Sequence, residues 1–518
     1  MSPRVSETNR AFMQRGAAAA VLTLAIASGC SLYDVRHPRL ESHALGVRGS
    51  TKLAGLFEPA AAKHPGTSGI NYIRSARVAL VGRLAMVDLA EQSLDLQYYI
   101  WDPDISGGLL GERVVRAAER GVRVRLLLDD ISVVDRDSRL ARLTGHPNIE
   151  VRAFNPFRDR NRWSDLFRDP SRINRRSHNK IFLADNAMAI VGGRNIADHY
   201  FGVHGESNYR DLDAIAVGPV VRDISSIFDV FWNSKFAVPY GAFVDEEPTP
   251  EDAAQRIAEL RAAVAAHPMP YPIDEDVTAL VADLHRIRDE LVWTSVRVLY
   301  DDPAKAEDTD VRGIVGELAA LASNAEREVL IENSYFVPRE PMVRIIAALT
   351  ARGVRVRILT NSMASNDVAA VVAGYKKYRT RLLEAGAEIY ELRPDSVMRQ
   401  QWSLLSTKSR SGLHTKAMVV DRRHVVIGSY NLDPRSADIN SELALLADSP
   451  AFGARVGAFF DEGVSPEQSF RVTLVNGSPR WTTVVGGREV VYTTDPETSW
   501  WQRFVVGVIG LLPIHSQL

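Results

Sequence analysis

The sequence predicts an α/β protein of two pseudo-symmetric lobes, each a mixed β-sheet flanked by α-helices, that share one active site. Three observations carry this. The chain has 518 residues, more than one hydrophobic core usually serves. Its apolar residues fall into short strand-like and helix-like stretches in β-α-β-β order, the mark of helices covering a sheet. That order is written twice, and each copy closes on His-x-Lys-x4-Asp: His178, Lys180 and Asp185, then His414, Lys416 and Asp421, with Asn195 and Asn431 ten residues beyond each Asp.

Taken in order, the chain opens with Arg10 and Arg15 ahead of a small and apolar run, Gly16 to Ala27, which ends Ala27-Ser28-Gly29-Cys30. A charged start, a short apolar core and small residues before a cleavage point predict a signal peptide over residues 1–29. Cys30 is the single cysteine, so no intrachain disulfide forms. Its position resembles the bacterial lipoprotein box, which implies lipidation of Cys30, although Ala27 stands where that pattern prefers Leu. An uncleaved anchor with an incidental cysteine is the plainer alternative. No other run reaches the ~20 apolar residues that span a bilayer.

The first lobe is expected over residues 31–245. Cys30 to Gly69 reads as loop-rich, Arg74 to Glu91 as a helix and Ser93 to Trp101 as a strand. Leu109 to Arg120 is helical and stops at Gly121, and Val122 to Leu128 and Ile149 to Phe154 are strands. The second lobe, over 301–465, repeats these elements. Val329 to Val337 matches the first strand and Met342 to Arg352 the helix. Arg-Gly-Val-Arg-Val-Arg recurs from Arg120 and from Arg352, and Glu388 to Pro394 matches Glu150 to Pro156. Between the lobes, residues 246–300 follow an acidic Asp245–Pro250 stretch with two helical patterns, Ala253 to Ala266 and Val277 to Leu291, and read as a helical connector. Residues 466–518 read as short strands, Arg471 to Val475 and Glu489 to Tyr492, and an apolar tail that contacts a membrane through Trp500 and Trp501.

A hydrophobic fraction of 46% and a charged fraction of 24% describe a globular chain. Lys plus Arg (62) nearly cancels Asp plus Glu (64), which disfavours a bulk nucleic-acid binder. The Arg-rich stretch Phe157 to Arg176 reads equally as a grip for anionic head groups or as a solvated loop neutralised by Asp159, Asp165 and Asp169.

The repeated motif carries the chemistry. The filler after each Lys is β-prone, so His178 and Lys180, two residues apart, share a strand face, as do His414 and Lys416. A His beside a fixed ammonium is a poor metal site and suits an anion instead; no metal or other cofactor is called for. Lys holds a phosphate, Asn195 and Asn431 donate to its oxygens, and His attacks phosphorus or protonates a leaving oxygen. Covalent phosphoryl transfer needs both of those roles, and two lobes about a pseudo-two-fold axis supply them at one phosphate.

At these residues the chain resembles the phospholipase D superfamily, and within it the bacterial cardiolipin synthases of the class C type. LDLQYYIW, NRRSHNK, IVGGRN, GLHTKAMVVD, IGSYNLDPRS and NSELALL carry the resemblance over Leu94 to Leu446. It implies His178 as nucleophile and His414 as acid/base, with the reverse left open by the near-symmetry of the copies. It implies Lys180, Lys416, Asn195 and Asn431 as phosphate ligands and Asp185 and Asp421 as motif members of structural role. It further implies a histidine-orienting acid beyond each Asn: Glu442 in the second half and Asp211 in the first, where Glu206 has the matching spacing from Asn195. The implied activity is a phosphatidyltransferase that makes cardiolipin from phosphatidylglycerol and a second phospholipid, phosphatidylglycerol or phosphatidylethanolamine, through a phospho-histidine. A head-group hydrolase uses the same steps with water, and a nuclease of the superfamily is disfavoured by the neutral charge and the membrane-directing start. The implied setting is a phospholipid membrane in the bacterial cell envelope, with a lipoprotein facing the periplasm; oligomeric state is left open.

Overall fold

The Arg-Gly-Val-Arg-Val-Arg strings show why the two halves fold alike. In each, glycine ends a helix in the left-handed region, Gly121 at φ +97° and Gly353 at φ +82°, where a Cβ would be strained. The alternating residues that follow then enter a parallel strand. The computed structural model describes residues 39–46, 51–157, 160, 170–271, 273, 277–307, 313–396 and 409–512. The expected signal peptide, Cys30 and part of the Arg-rich stretch lie outside the described residues.

The first half runs α1 (Lys52–Ala61), β1 (Ser68–Ile73), α2 (Ala76–Leu89), β2 (Ser93–Tyr98), α3 (Ile105–Glu119), β3 (Arg123–Asp129), α4 (Asp137–Leu143), β4 (Ile149–Phe154), α5 (Pro170–Asn174), β5 (Ile181–Ala184), β6 (Met188–Gly192), β7 (Ser207–Arg210), β8 (Asp213–Val217), α6 (Pro219–Trp232) and β9 (Ala237–Pro239). Then come α7 (Pro250–Ala266), α8 (Val277–Asp289) and β10 (Val292–Tyr300). The second half runs α9 (Ile314–Ser323), β11 (Glu328–Asn333), α10 (Glu340–Ala351), β12 (Arg355–Asn361), α11 (Ala369–Glu384), β13 (Glu388–Leu392), β14 (Arg410–Leu413), β15 (Lys416–Val420), β16 (His424–Gly428), α12 (Pro434–Asp438), β17 (Leu443–Asp448) and α13 (Pro450–Gly463). The chain closes with β18 (Ser469–Val475), β19 (Ser478–Val485), β20 (Arg488–Tyr492) and α14 (Trp500–Ile509).

Eighteen of these strands form one mixed sheet. Its order, β9-β4-β3-β2-β5-β6-β8-β1 in the first half, is mirrored by β18-β13-β12-β11-β15-β16-β17-β10 in the second. The two join where β1 and β10 pair antiparallel, Ser68 opposite Thr294 and Ile70 opposite Val292. The pseudo-two-fold axis runs between those strands.

Strand alternation sorts the side chains into three cores. Phe182 and Ala184 face the outer helices of the first lobe, whereas Ile181 and Leu183 face a central core. Ala417 and Val419 join that central core from the second lobe, with α6 and α13 packed between; Met418 and Val420 turn outward beneath α9 and α10. Across the central layer Arg210 Nε donates to Glu332 (2.8 Å) and its guanidinium lies 3.6 Å from the Phe459 ring, both charges being almost fully buried.

Three expectations need correction. The stretch read as loop-rich contains α1, capped by Thr51 and buried only at Leu53 and Phe57, too little apolar surface to print a helical period. The connector is helical only to Asp289; β10 follows, and its half-exposed alternating pattern belongs to the sheet that joins the lobes. The tail holds three strands where two were expected, and β18 pairs with β13, so the second lobe's sheet runs past residue 465. The apolar terminal run is helix α14. No helix among the described residues is long and apolar enough to cross a membrane.

Candidate active site

The site is assembled by two short parallel pairings between the lobes. Ser177 bridges Ser441, which sets His178 beside Glu442. Leu413 of β14 pairs with Arg210 of β7, which sets His414 beside Asp211. Backbone hydrogen bonds extend each register: His178 N to Ser441 O at 2.9 Å, and His414 N to Arg210 O at 2.8 Å. Each histidine thus takes its carboxylate from the opposite lobe. Glu206, the alternative by spacing, is exposed just before β7; its carbonyl accepts the Arg410 amide and its own amide donates to His204 Nδ1. The first half has five more residues between Asn and acid because β7 is inserted there.

His178 Nδ1 lies 2.9 Å from Glu442 Oε2 and 3.1 Å from the Ser429 carbonyl. Both partners accept, so Nδ1 carries the ring proton and Nε2 presents a lone pair. Glu442 is fully buried and also accepts from the Ser429 hydroxyl and from Ser436 Oγ (2.6 Å). His414 Nδ1 lies 2.7 Å from Asp211 Oδ2 and 3.1 Å from Lys416 Nζ, and its Nε2 lies 3.5 Å from the Tyr200 hydroxyl. Tyr99 packs edge-on against His178 at 5.0 Å, and Tyr200 against His414 at 4.9 Å.

Lys180 Nζ donates to the His178 carbonyl (2.7 Å), and Lys416 Nζ to the His414 carbonyl and to Ser334 Oγ (2.9 Å). Asn195 donates to the Tyr200 hydroxyl (2.8 Å) and accepts from Ile100 N (3.2 Å); Asn431 accepts from Ser334 (3.2 Å). The close approach of the carboxylate demands Gly193: a Cβ there would stand 2.4 Å from Asp211 Oδ1.

Asp185 and Asp421 sit at the far ends of β5 and β15, both with positive φ. Asp185 accepts the amides of Glu91, Gln92 and Ser93, and Asp421 those of Glu326, Arg327 and Glu328. They staple the loops that lead into β2 and β11, and neither meets the histidines or lysines.

Burial dominates the electrostatics. It pushes His178 down to about 4, with Lys180 adding to the fall, and it takes His414 well below the ordinary range, helped by Lys416 and Lys180. Burial also lowers Lys416 to about 8 and drives Lys180 well down. Asp211 is raised to about 7 by burial, against the pull of Lys416 and Arg194. Burial pushes Glu442 upward too, but its partners His178 and Lys180 and the Ser429 hydrogen bond hold it below its usual value. Glu442's attraction for a charged ring is outweighed by the cost of burying that ring beside ammonium groups, so at neutral pH a neutral His178 rests on an ionised Glu442. Among the described residues no group of three His, Cys, Asp or Glu side chains is gathered for a metal.

Ser429, Ser436, Ser334, Tyr99, Tyr200 and Arg194 were not singled out as site residues. Arg194 and Ser429 lie inside the two copies of the closing string, and Tyr99 and Ser436 inside LDLQYYIW and IGSYNLDPRS; Tyr200 and Ser334 lie outside the strings that carry the resemblance, because their roles arise from long-range packing. Arg194 is fully buried and donates to the carbonyls of Ile73 and Asp211, fixing the backbone behind the Asp211 carboxylate.

The family model described as cardiolipin synthase, phospholipase D-like domain, matches residues 84–232 and again 318–463. The chain is 37% identical over 476 residues to cardiolipin synthase C of Escherichia coli, covering 90% of this chain and 99% of that one. It is 26% identical to cardiolipin synthase A of Pectobacterium carotovorum, covering 77% of this chain and 70% of that one. The crystal structure of a phosphatidylserine synthase from Haemophilus influenzae superposes with a TM-score of 0.56 at 13% identity, covering 89% of this chain and all of that one.

Proposed function

The chain belongs to the phospholipase D-like cardiolipin synthase family and is a phosphatidyltransferase of the phospholipase D type, and on that premise we propose that it makes cardiolipin from phosphatidylglycerol and a second phospholipid, phosphatidylglycerol or phosphatidylethanolamine. The observation that carries the proposal is the pair of crossed contacts, His178 on Glu442 and His414 on Asp211, flanked by Lys180 and Lys416.

In this reading His178 Nε2 attacks the phosphorus of the donor lipid. The bond from phosphorus to the head-group oxygen breaks, and His414 passes a proton to that oxygen. The phosphatidyl group then rests on His178 while the head group, glycerol or ethanolamine, leaves. His414 next takes the proton from the free hydroxyl of phosphatidylglycerol, whose oxygen attacks phosphorus and frees His178. Lys180, Lys416, Asn195 and Asn431 hold the phosphate oxygens as negative charge builds. The assignment of His178 as nucleophile is supported by its free lone pair and ionised Glu442. The assignment of His414 as acid/base is supported by its contact with Asp211, a carboxyl that burial raises to about 7 and that can trade a proton with the ring.

Product analysis on phosphatidylglycerol vesicles, with and without phosphatidylethanolamine, tests the transfer. Cardiolipin with released glycerol or ethanolamine supports it; phosphatidic acid alone means that water is the acceptor and refutes it. Acid-quenched enzyme should carry the phosphatidyl group on the His178 peptide, and His178→Ala or His414→Ala should abolish turnover without unfolding the protein.

The same reading sets the enzyme at a lipid surface of the cell envelope, anchored through Cys30 and facing the periplasm, on the inner or outer membrane. It is supported by α14, where Trp500, Trp501 and Phe504 are 68%, 56% and 52% exposed while Val506 packs against Val372 and Ala373 of α11. Aromatic rings of this kind partition to the head-group layer. Vesicle flotation of W500A/W501A should fall clearly below that of the unmodified protein.

A further inference from the structure

The two lobes are repeats, so each is a control for the other, and beneath their first helices they differ. In the second lobe, α9 and α10 roof the sheet face that carries Ile331, Met418 and Val426, and an apolar cavity of about 250 Å³ lies between. The buried Asn333, Lys416, Tyr430 and Asp433 are among its lining residues. So are Arg339 and Asp438, which pair at 2.7 Å with side chains 44% and 48% exposed.

Among the described residues, the matching place beside the first lobe's lysine is filled. Asn333 lies opposite Lys416 on the β11–β15 ladder. The corresponding place on β2 is taken by Tyr98, next to Gln97, which pairs with Ile181. Tyr98 is buried, and Arg83 reaches from α2 to donate to its hydroxyl (3.2 Å) and to Asp213 (2.9 Å). Helix α2 is buried along most of its length, whereas α9 buries only Ile314 and Leu318 fully and leaves Val315 39% exposed. The main cavity of the first lobe lies instead against α3, α4 and α7, and neither His178 nor Lys180 lines it.

A space lined mostly by apolar side chains, with Lys416 on its wall, fits an amphiphilic anion. Apolar surface removed from water there adds to binding, while Lys416 neutralises the phosphate. We propose that the cavity under α9 and α10 holds one acyl chain of the phospholipid whose phosphate is engaged by Lys416, the rest of that chain emerging past Arg339 and Asp438. The proposal rests on the reading of the active site given above and deepens it, because it makes the second lobe the half that grips the lipid tail.

Photocrosslinking tests it without turnover. Phosphatidylglycerol with a diazirine in its acyl chain, mixed with the H178A variant in detergent micelles and irradiated, should label peptides from residues 314–349. Filling the roof with Ala319→Phe, or with Ala322→Phe if the first variant folds poorly, should cut that label strongly. The ratio of kcat/KM for dioleoyl over dihexanoyl phosphatidylglycerol should fall roughly tenfold, what the loss of about two buried methylenes amounts to. Label confined to other surfaces, α14 included, or an unchanged ratio in a folded filling variant, overturns the proposal. Absence of any lipid turnover by the unmodified protein would sink the catalytic reading instead, and the labelling pattern would still decide the cavity.

Discussion

Glu442→Gln isolates what the crossed carboxylate does for His178. Glu442 is completely buried and accepts from His178 Nδ1, Ser429 Oγ and Ser436 Oγ. A carboxamide has a single oxygen acceptor, so its NH2 end must turn toward a donor that the carboxylate satisfied. A hydrogen bond to a charged group contributes ~1.5–3 kcal/mol, and in the proposed mechanism the imidazolium that forms when His178 is displaced or protonated needs that charge. At 1.36 kcal/mol per tenfold, this alone lowers kcat roughly 10- to 150-fold. If the Gln NH2 faces Nδ1, the ring proton moves to Nε2, the lone pair is lost, and the deficit grows toward ~10⁴, the scale known for a triad histidine held in the wrong tautomer. The assay is cardiolipin formation on mixed micelles at saturating lipid, with thermal unfolding as a check on folding. A folded variant whose kcat stays within fivefold of the unmodified enzyme refutes the argument.

Other outcomes follow from the same geometry. Asp211, raised to about 7 by burial, keeps in the folded state a proton that the unfolded chain releases near 3.8, so it makes stability fall as pH rises through that window; His178, lowered to about 4 from 6.5, acts with the opposite sign between those values. Asp211→Asn should therefore leave a stability curve, read from urea midpoints, that climbs more steeply between pH 4 and 6.5 than that of the unmodified protein. Glu332→Ala removes the carboxylate that faces the buried Arg210 guanidinium in the layer between the lobes and should cost about 3–5 kcal/mol in urea unfolding, while Arg210→Met with Glu332→Leu should recover most of it. Gly193→Ala must displace the Asp211 carboxylate, since its Cβ would stand 2.4 Å away, and kcat should drop on the order of 10²-fold with a smaller loss of stability.

Much of this was legible in the chain because the duplication prints each signal twice. His178 with Lys180 and His414 with Lys416 stand out by repetition, and the Gly121 and Gly353 stops locate the helices before the parallel strands. What one-dimensional pattern does not carry is pairing. Ser177 meets Ser441 across more than 260 residues of chain, and nothing local says that His178 takes Glu442 rather than an acid of its own half. The five residues of extra spacing before Asp211 come from β7, a strand with no counterpart before Glu442. β10 reads as part of a helical connector because its alternation is only half-buried, and α1 shows no helical period because just two of its residues reach the core.

The crossing of the carboxylates also bears on how such a chain can change over generations. Were the halves separate and identical, a self-paired lobe would furnish two equal sites, and any substitution would strike both histidines at once. Joined through β1 and β10 in a single polypeptide, the copies are free to drift apart. One histidine now leans on a glutamate braced by two serines, the other on an aspartate beside an ammonium. Covalent linkage thereby lets the two surroundings differ while it binds their inheritance together, since each histidine rests on an acid that the other half supplies.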